Sequence, residues 1–158
     1  MALIYHPNIR VNLAYYGIFL GLGSCGCTMY AGAQPAAADD VVTNWGTTYR
    51  ETTGGNANLI WHADNGMTIG LTNNSVTIYG TAFPTAVAPK RNGTVTWAII
   101  WPSTVTYAAL NAATIPRTDF IVAPISITTG NGVLRMTSTT LTTATTTTIS
   151  DFGFTVYL

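Results

Sequence analysis

Thr94-Val95-Thr96-Trp97-Ala98-Ile99-Ile100-Trp101-Pro102 is the stretch whose reading decides the fold. Val95, Trp97 and Ile99 alternate with Thr94, Thr96 and Ala98, and β-branched and aromatic residues suit a pleated, half-buried surface. The stretch predicts a strong strand, ended by Pro102, which has no N–H to give to a ladder. Similar signals recur on both sides. Residues 27–31 read as a short strand stopped at Gly32, and residues 59–62 as a short apolar strand. Asp64-Asn65-Gly66 is turn chemistry, and residues 67–71 and 75–79 form a candidate hairpin around Thr72-Asn73-Asn74. Residues 83–92, with Pro84 and Pro89, read as a connection. Residues 107–114 suggest a helical turn, and residues 120–128 a strand broken or bulged at Pro124. Gly130-Asn131-Gly132 turns the chain into strands at 133–140 and 148–158. The Thr-rich run between them reads as strand and loop, because β-branched Thr fits a half-exposed pleat.

One helix interrupts this pattern. Pro35 suits a first turn, Asp39 and Asp40 favour the positive end of the helix dipole, and Gly46 is a stop signal, so residues 36–45 are predicted helical. The expected fold is mainly β: an antiparallel β-sandwich, jelly-roll or immunoglobulin-like, with one short helix and an extended N-terminal segment. Residues 1–34 are expected to be an N-terminal docking arm or first strands, and residues 35–158 the sandwich domain.

Composition narrows function further. Of 158 residues, 8% are charged and 47% hydrophobic, with zero formal net charge. A free-standing domain usually carries about a quarter of its residues as charges. Surfaces this poor in charge suit contact, with copies of the same chain or with a larger assembly. The six cations are scattered and only Lys90-Arg91 is a pair, which argues against a phosphate-tracking surface and so against nucleic acid. No uninterrupted apolar run reaches the length of a transmembrane helix, and no membrane association is expected.

Residues 13–22 are apolar, follow Arg10, and lead into Leu22-Gly23-Ser24-Cys25. The pattern suggests a bacterial lipoprotein signal, with Cys25 lipidated. The charged region before it is poor, one Arg with a His and a Pro, so the segment reads as part of the mature chain. Cys25 and Cys27 are the two cysteines of the chain. A Cys-x-Cys pair cannot complete a tetrahedral metal site, and His6 and His62 lie at no compact motif spacing from it. Two reduced, half-buried thiols on a Gly-rich strand are expected, with no metal and no cofactor.

The carboxylates give no catalytic constellation. Asp39 and Asp40 are explained by capping and Asp64 by a turn. His62 and Asp64 would share one face of a strand, a pairing far commoner as a surface contact than as catalysis. No Gly-x-Ser-x-Gly elbow, dinucleotide fingerprint or phosphate loop occurs. Asn73-Asn74-Ser75 and Asn92-Gly93-Thr94 match the glycosylation sequon, which matters only in a secretory pathway. Trp97, Trp101 and Tyr107 could line a carbohydrate platform, but the alternation assigns Trp97 to the core. Trp101, beside Pro102, is expected to be more exposed. The interface candidates are Ile9, Leu13, Tyr15, Tyr16, Phe19, Trp101 and Tyr107. No catalytic residue is assigned and no enzyme is expected.

Three stretches taken in order resemble a loose group of small β-rich accessory proteins of tailed-phage particles: Met29-Tyr30-Ala31-Gly32-Ala33-Gln34-Pro35, Gly93-Thr94-Val95-Thr96-Trp97-Ala98-Ile99, and the ending from Asp119 through Gly132-Val133-Leu134 to Asp151-Phe152-Gly153-Phe154. In that group a Tyr-x-Gly-x-Gln-Pro-like start leads into a Gly-Thr-Ala-x-Trp-like strand and a Thr-rich β end. The apolar extension through Cys27 departs from the group. The resemblance implies a non-enzymatic, multicopy virion structural protein: a capsid decoration or other particle-surface protein. Its implied partners are copies of itself, as a homo-oligomer within the assembly, and major capsid or tail proteins. The alternatives are a tail-, neck- or fibre-associated receptor- or glycan-binding module and a surface lipoprotein lipidated at Cys25.

Overall fold

The structure, a computed structural model, describes residues 4–5, 24–50, 58–71, 77–82, 87–118, 120–128, 130, 133–144, 146 and 149–155, with backbone only for 4–5, 69–71, 77–82 and 153–155. The interface candidates Ile9, Leu13, Tyr15, Tyr16 and Phe19 lie outside the described residues, as do His6, the Thr72-Asn73-Asn74 turn and the Asn73 sequon. Ten strands are described: β1 (Ile4–Tyr5), β2 (Cys25–Tyr30), β3 (Leu59–Leu71), β4 (Thr77–Ala82), β5 (Gly93–Thr94), β6 (Trp97–Pro102), β7 (Ile121–Ser126), β8 (Val133–Met136), β9 (Thr140–Leu141) and β10 (Ile149–Thr155). Among the described part of residues 1–34, Ile4–Tyr5 and Cys25–Tyr30 are strands, and β2 lies inside the sheet between β6 and β3.

The chain is mainly β, as its alternation predicts. The strands form a curled mixed sheet in the order β1-β7-β6-β2-β3-β4-β10-β8, and a further β8–β7 pairing closes a ring that leaves β1 outside it. The ring closes through one parallel link, Ile125 opposite Leu134 and Ser126 opposite Arg135. All other pairs are antiparallel. The wholly antiparallel expectation is corrected at that seam, and the two facing sheets of a sandwich are not what the pairing describes. Closure also reduces the run of unpaired N–H and C=O groups that an open sheet would expose.

Curling gives the sheet an inner and an outer face, and the period of two sorts side chains between them. Cys25, Cys27, Met29, Trp61, Ala98, Ile100, Ile121, Ala123, Leu134 and Phe152 pack together in one core. Tyr30, Leu59, Trp97, Ile99, Trp101 and Val122 pack in a second, outside the curl. That second core is closed by α1 (Ala38–Thr43), a π-helical turn at Trp45–Tyr49 and 3-10 turns at Tyr107–Ala109 and Ile115–Arg117. β6 is therefore buried on both faces, which is why its sequence reads as a nearly continuous apolar run.

Local details revise four expectations. The Asp64-Asn65-Gly66 turn is a bulge within one 13-residue strand: opposite β2, Cys25 pairs with Met67 but Cys27 with Ala63. Gly66, at φ +96°, supplies the left-handed residue it needs. Pro124 does not break β7. Ile125 donates to Thr96 O at 2.8 Å, so alternation turns Val122 and Pro124 towards the opposite edge, where the missing N–H of Pro124 disturbs no β6 bond. The helix is six residues long, and the chain runs through Gly46 in the π turn rather than stopping there. At its start the Asp40 carboxylate accepts from Ala37 N–H at 3.2 Å, the capping role its position suggests. Finally, the predicted strand 133–140 divides. Residues 133–136 pair with β10, while Thr140 and Leu141 leave to form a small ribbon with β5.

Candidate functional site

The outer aromatic cluster is built by three adjacent strands. β6 sends Trp97, Ile99 and Trp101 outwards. β2 sets Tyr30 opposite Trp97, Thr28 opposite Ile99 and Gly26 opposite Trp101. The Tyr30 and Trp97 rings stack with centroids 4.3 Å apart at 12°, and Tyr49 from the π turn meets both edge-on. The Tyr49 carbonyl accepts from the Tyr30 hydroxyl at 3.0 Å and from the Tyr107 hydroxyl at 3.4 Å. Trp45 crosses towards Tyr107 and donates its Nε1–H to Leu110 O at 3.1 Å.

Trp101 and Tyr107, expected to present surface, are corrected: they are 1% and 7% exposed. Pro102 does end the strand, but the chain then doubles back, with Val105 N donating to Pro102 O at 3.2 Å. That turn brings Val105 O to within 2.8 Å of the Trp101 Nε1 that donates to it. Trp97 is buried as its alternation predicts. A carbohydrate platform of Trp97, Trp101 and Tyr107 is thus unavailable, because all three lie inside the chain.

His62 and Asp64 do converge, as their spacing suggests, and they meet on Tyr107. The His62 ring stacks on the Tyr107 ring at 4.9 Å, and Asp64 Oδ1 accepts from Tyr107 N–H at 2.5 Å. The carboxylate anchors the 3-10 turn to the β3 bulge, a structural duty that the sequence did not disclose. What Cys25-Gly26-Cys27 does signal is a close approach of the Trp101 indole and the Asp64 backbone, since glycine inside a strand marks one. A Cβ on Gly26 would lie 2.9 Å from Asp64 O and 2.6 Å from the Trp101 indole.

Burial dominates the protonation of the phenols and thiols in the two cores. Burial pushes the Tyr30 phenol well above its ordinary range, with Tyr107 adding to the shift, and burial with the nearby Asp40 raises Tyr49. Cys25 and Cys27 are free, buried and on the inner face, more enclosed than the half-buried expectation. Desolvation pushes the Cys25 thiol up to about 12 and raises Cys27 further, with Cys25 beside it adding to the effect. Thiols held protonated are poor nucleophiles and poor metal ligands. No group of three His, Cys, Asp or Glu side chains is gathered among the described residues. No helix among them is long and apolar enough to cross a membrane.

The surface differs from what hydropathy alone suggests. Mean hydropathy is +0.30, yet Ile127 is the large hydrophobic side chain exposed among the described residues. Thr, Ser, Asn and Ala supply much of the exposed surface, including the Ser126–Thr128 and Thr94–Thr140 hydroxyl pairs. No known protein family, curated protein or solved structure matches the chain.

Proposed function

We propose that this protein is a non-enzymatic, multicopy structural component of a tailed-phage virion, a capsid decoration or other particle-surface protein. Its partners are copies of itself and the major capsid or tail proteins. The observation that carries the reading is the surface of the described residues: their large apolar side chains, Ile127 apart, are drawn into two cores, and what they leave outside is hydroxyl-rich and thin in charge. Such a surface lacks the like-charge repulsion that keeps identical molecules apart, and it offers many hydrogen-bonding groups to a neighbour. The ordered motif resemblance points to the phage particle as the assembly.

The buried thiol weighs against lipidation at Cys25, because an acyl chain there would have to displace the core residues packed around it. Mass spectrometry of purified particles, with copy number read against the major capsid protein, tests the proposal. Many copies per particle are expected. Absence from particles, together with a monomer in solution at high concentration, overturns it. A truncation lacking residues 1–24 is expected to fold and to fail to incorporate.

A further inference from the structure

We infer that Asn65-Gly66 is a self-modifying site, converting Asn65 to aspartate or isoaspartate through a cyclic imide, while the fold protects the like pair Asn92-Gly93. The inference stands apart from the assembly reading and concerns the chain itself. Asparagine followed by glycine is prone to this chemistry, because glycine has no side chain to hinder attack by its own nitrogen. The chain holds three such pairs, and the third, Asn131-Gly132, lies outside the described residues. As sequence the three are alike.

The two described pairs differ in how they are held. Asn65 and Gly66 are both exposed. They sit in the β3 bulge, between Ala63 opposite Cys27 and Met67 opposite Cys25, and pairing with β4 begins only at Thr68. Residues 64–66 therefore have no ladder partner among the described residues. The Asn65 side chain makes no hydrogen bond among them either. Asn92 is exposed too, but its Oδ1 accepts from Thr143 N–H at 2.8 Å. Gly93 is the ladder partner of Leu141, and the position a Cβ would take there lies 2.6 Å from Ile60 Cδ1. Side chain and backbone are thus both held at 92–93, and neither is tied to a partner strand at 65–66.

The step needs only water. The Gly66 nitrogen attacks Asn65 Cγ and gives up its proton, the Cγ–Nδ2 bond breaks, and the side-chain nitrogen leaves as ammonia. Water then opens the imide. Cleavage at Cγ leaves aspartate, and cleavage at the main-chain carbonyl leaves isoaspartate. Either product adds one negative charge beside Asp64 in a chain of zero formal net charge. Isoaspartate also lengthens the backbone at the bulge, next to the carboxylate that accepts from Tyr107 N–H.

The test incubates the full chain at mildly alkaline pH and follows it by peptide mapping with mass spectrometry, isoaspartate being scored by a methyltransferase assay. Position 65 is expected to convert about tenfold or more faster than position 92, since the contacts holding residues 92 and 93 must open first. In denaturant the two rates are expected to draw level. Asn65→Gln, whose longer side chain closes a ring far more slowly, is expected to lose the product at position 65. Native conversion at 92 as fast as at 65, or the same preference kept in denaturant, overturns the inference. So does a position 65 that stays intact in the native chain while the denatured chain converts.

Discussion

Gly26→Ala is the most exacting test of the packing. The new Cβ would lie 2.6 and 2.7 Å from two carbons of the Trp101 indole and 2.9 Å from the Asp64 carbonyl oxygen. Carbon atoms rest about 3.5–4.0 Å apart, so the indole is too close by about 1 Å. Neither neighbour can yield cheaply. The indole is fully buried and tethered through Nε1 to Val105, and the oxygen belongs to the β3 backbone at its bulge. Gly26 does not have a positive φ, so the penalty is steric and not conformational. Overpacking costs about 1–3 kcal/mol, and two stiff neighbours put this site near the upper end, about 3 kcal/mol. For a chain of this size that lowers Tm by roughly 6–12 °C, read by thermal circular dichroism. Pairing the change with Trp101→Phe should be less damaging than the sum of the two single changes, by about 1 kcal/mol or more. A Gly26→Ala protein within about 2 °C of the parent would refute the reasoning.

Gly46→Ala is the matched control: a Cβ there meets nothing within 4 Å and φ is not positive, so stability should be unchanged or raised by up to about 1 kcal/mol in urea denaturation. Trp45→Phe should cost about 1–2 kcal/mol more than Trp97→Phe, because the first strands the Leu110 carbonyl while Trp97 Nε1 has no hydrogen-bond partner to lose; equal costs would remove that assignment. Stability should fall as pH rises from about 9 towards 12, since the unfolded chain releases its thiol protons before the folded one does, and Cys25→Ala with Cys27→Ala should flatten that slope. Native protein should resist a thiol reagent at mildly alkaline pH and react fully in denaturant; rapid native labelling would contradict the buried placement of Cys25 and Cys27.

Much of this architecture was legible in short stretches. Residues 97–101 of the predicted strand 94–101 form β6, but that strand divides: Thr94 pairs in β5, and Val95 packs in the inner core while Trp97 and Ile99 pack in the outer one. Gly32 follows β2 with a positive φ, and Pro35 with Asp39 and Asp40 marked α1. What was not legible depended on partners distant in the chain. Asp64-Asn65-Gly66 has the composition of a turn, and only the neighbouring β2 turns it into a bulge. Pro124 looks like a break until the side its nitrogen faces is known. A strand carries no local signal of parallel or antiparallel pairing, so the β7–β8 seam was invisible. Trp101 looked exposed because the turn that covers it is assembled from Val105, Tyr107 and the Asp64 anchor. Among the described residues, His62, Asp64, Tyr30 and Tyr107 make contacts that hold turns to the sheet.

The single parallel seam has a further consequence. A ring of strands is only as closed as its shortest join, and here two residue pairs between β7 and β8 complete the circuit. Thermal breathing should therefore part the cylinder along that line before any other, as a barrel opens at its narrowest stave. The inner thiols would then act as a clock, their slow capture by a reagent counting how often the stave lifts while the rest of the wall stays whole.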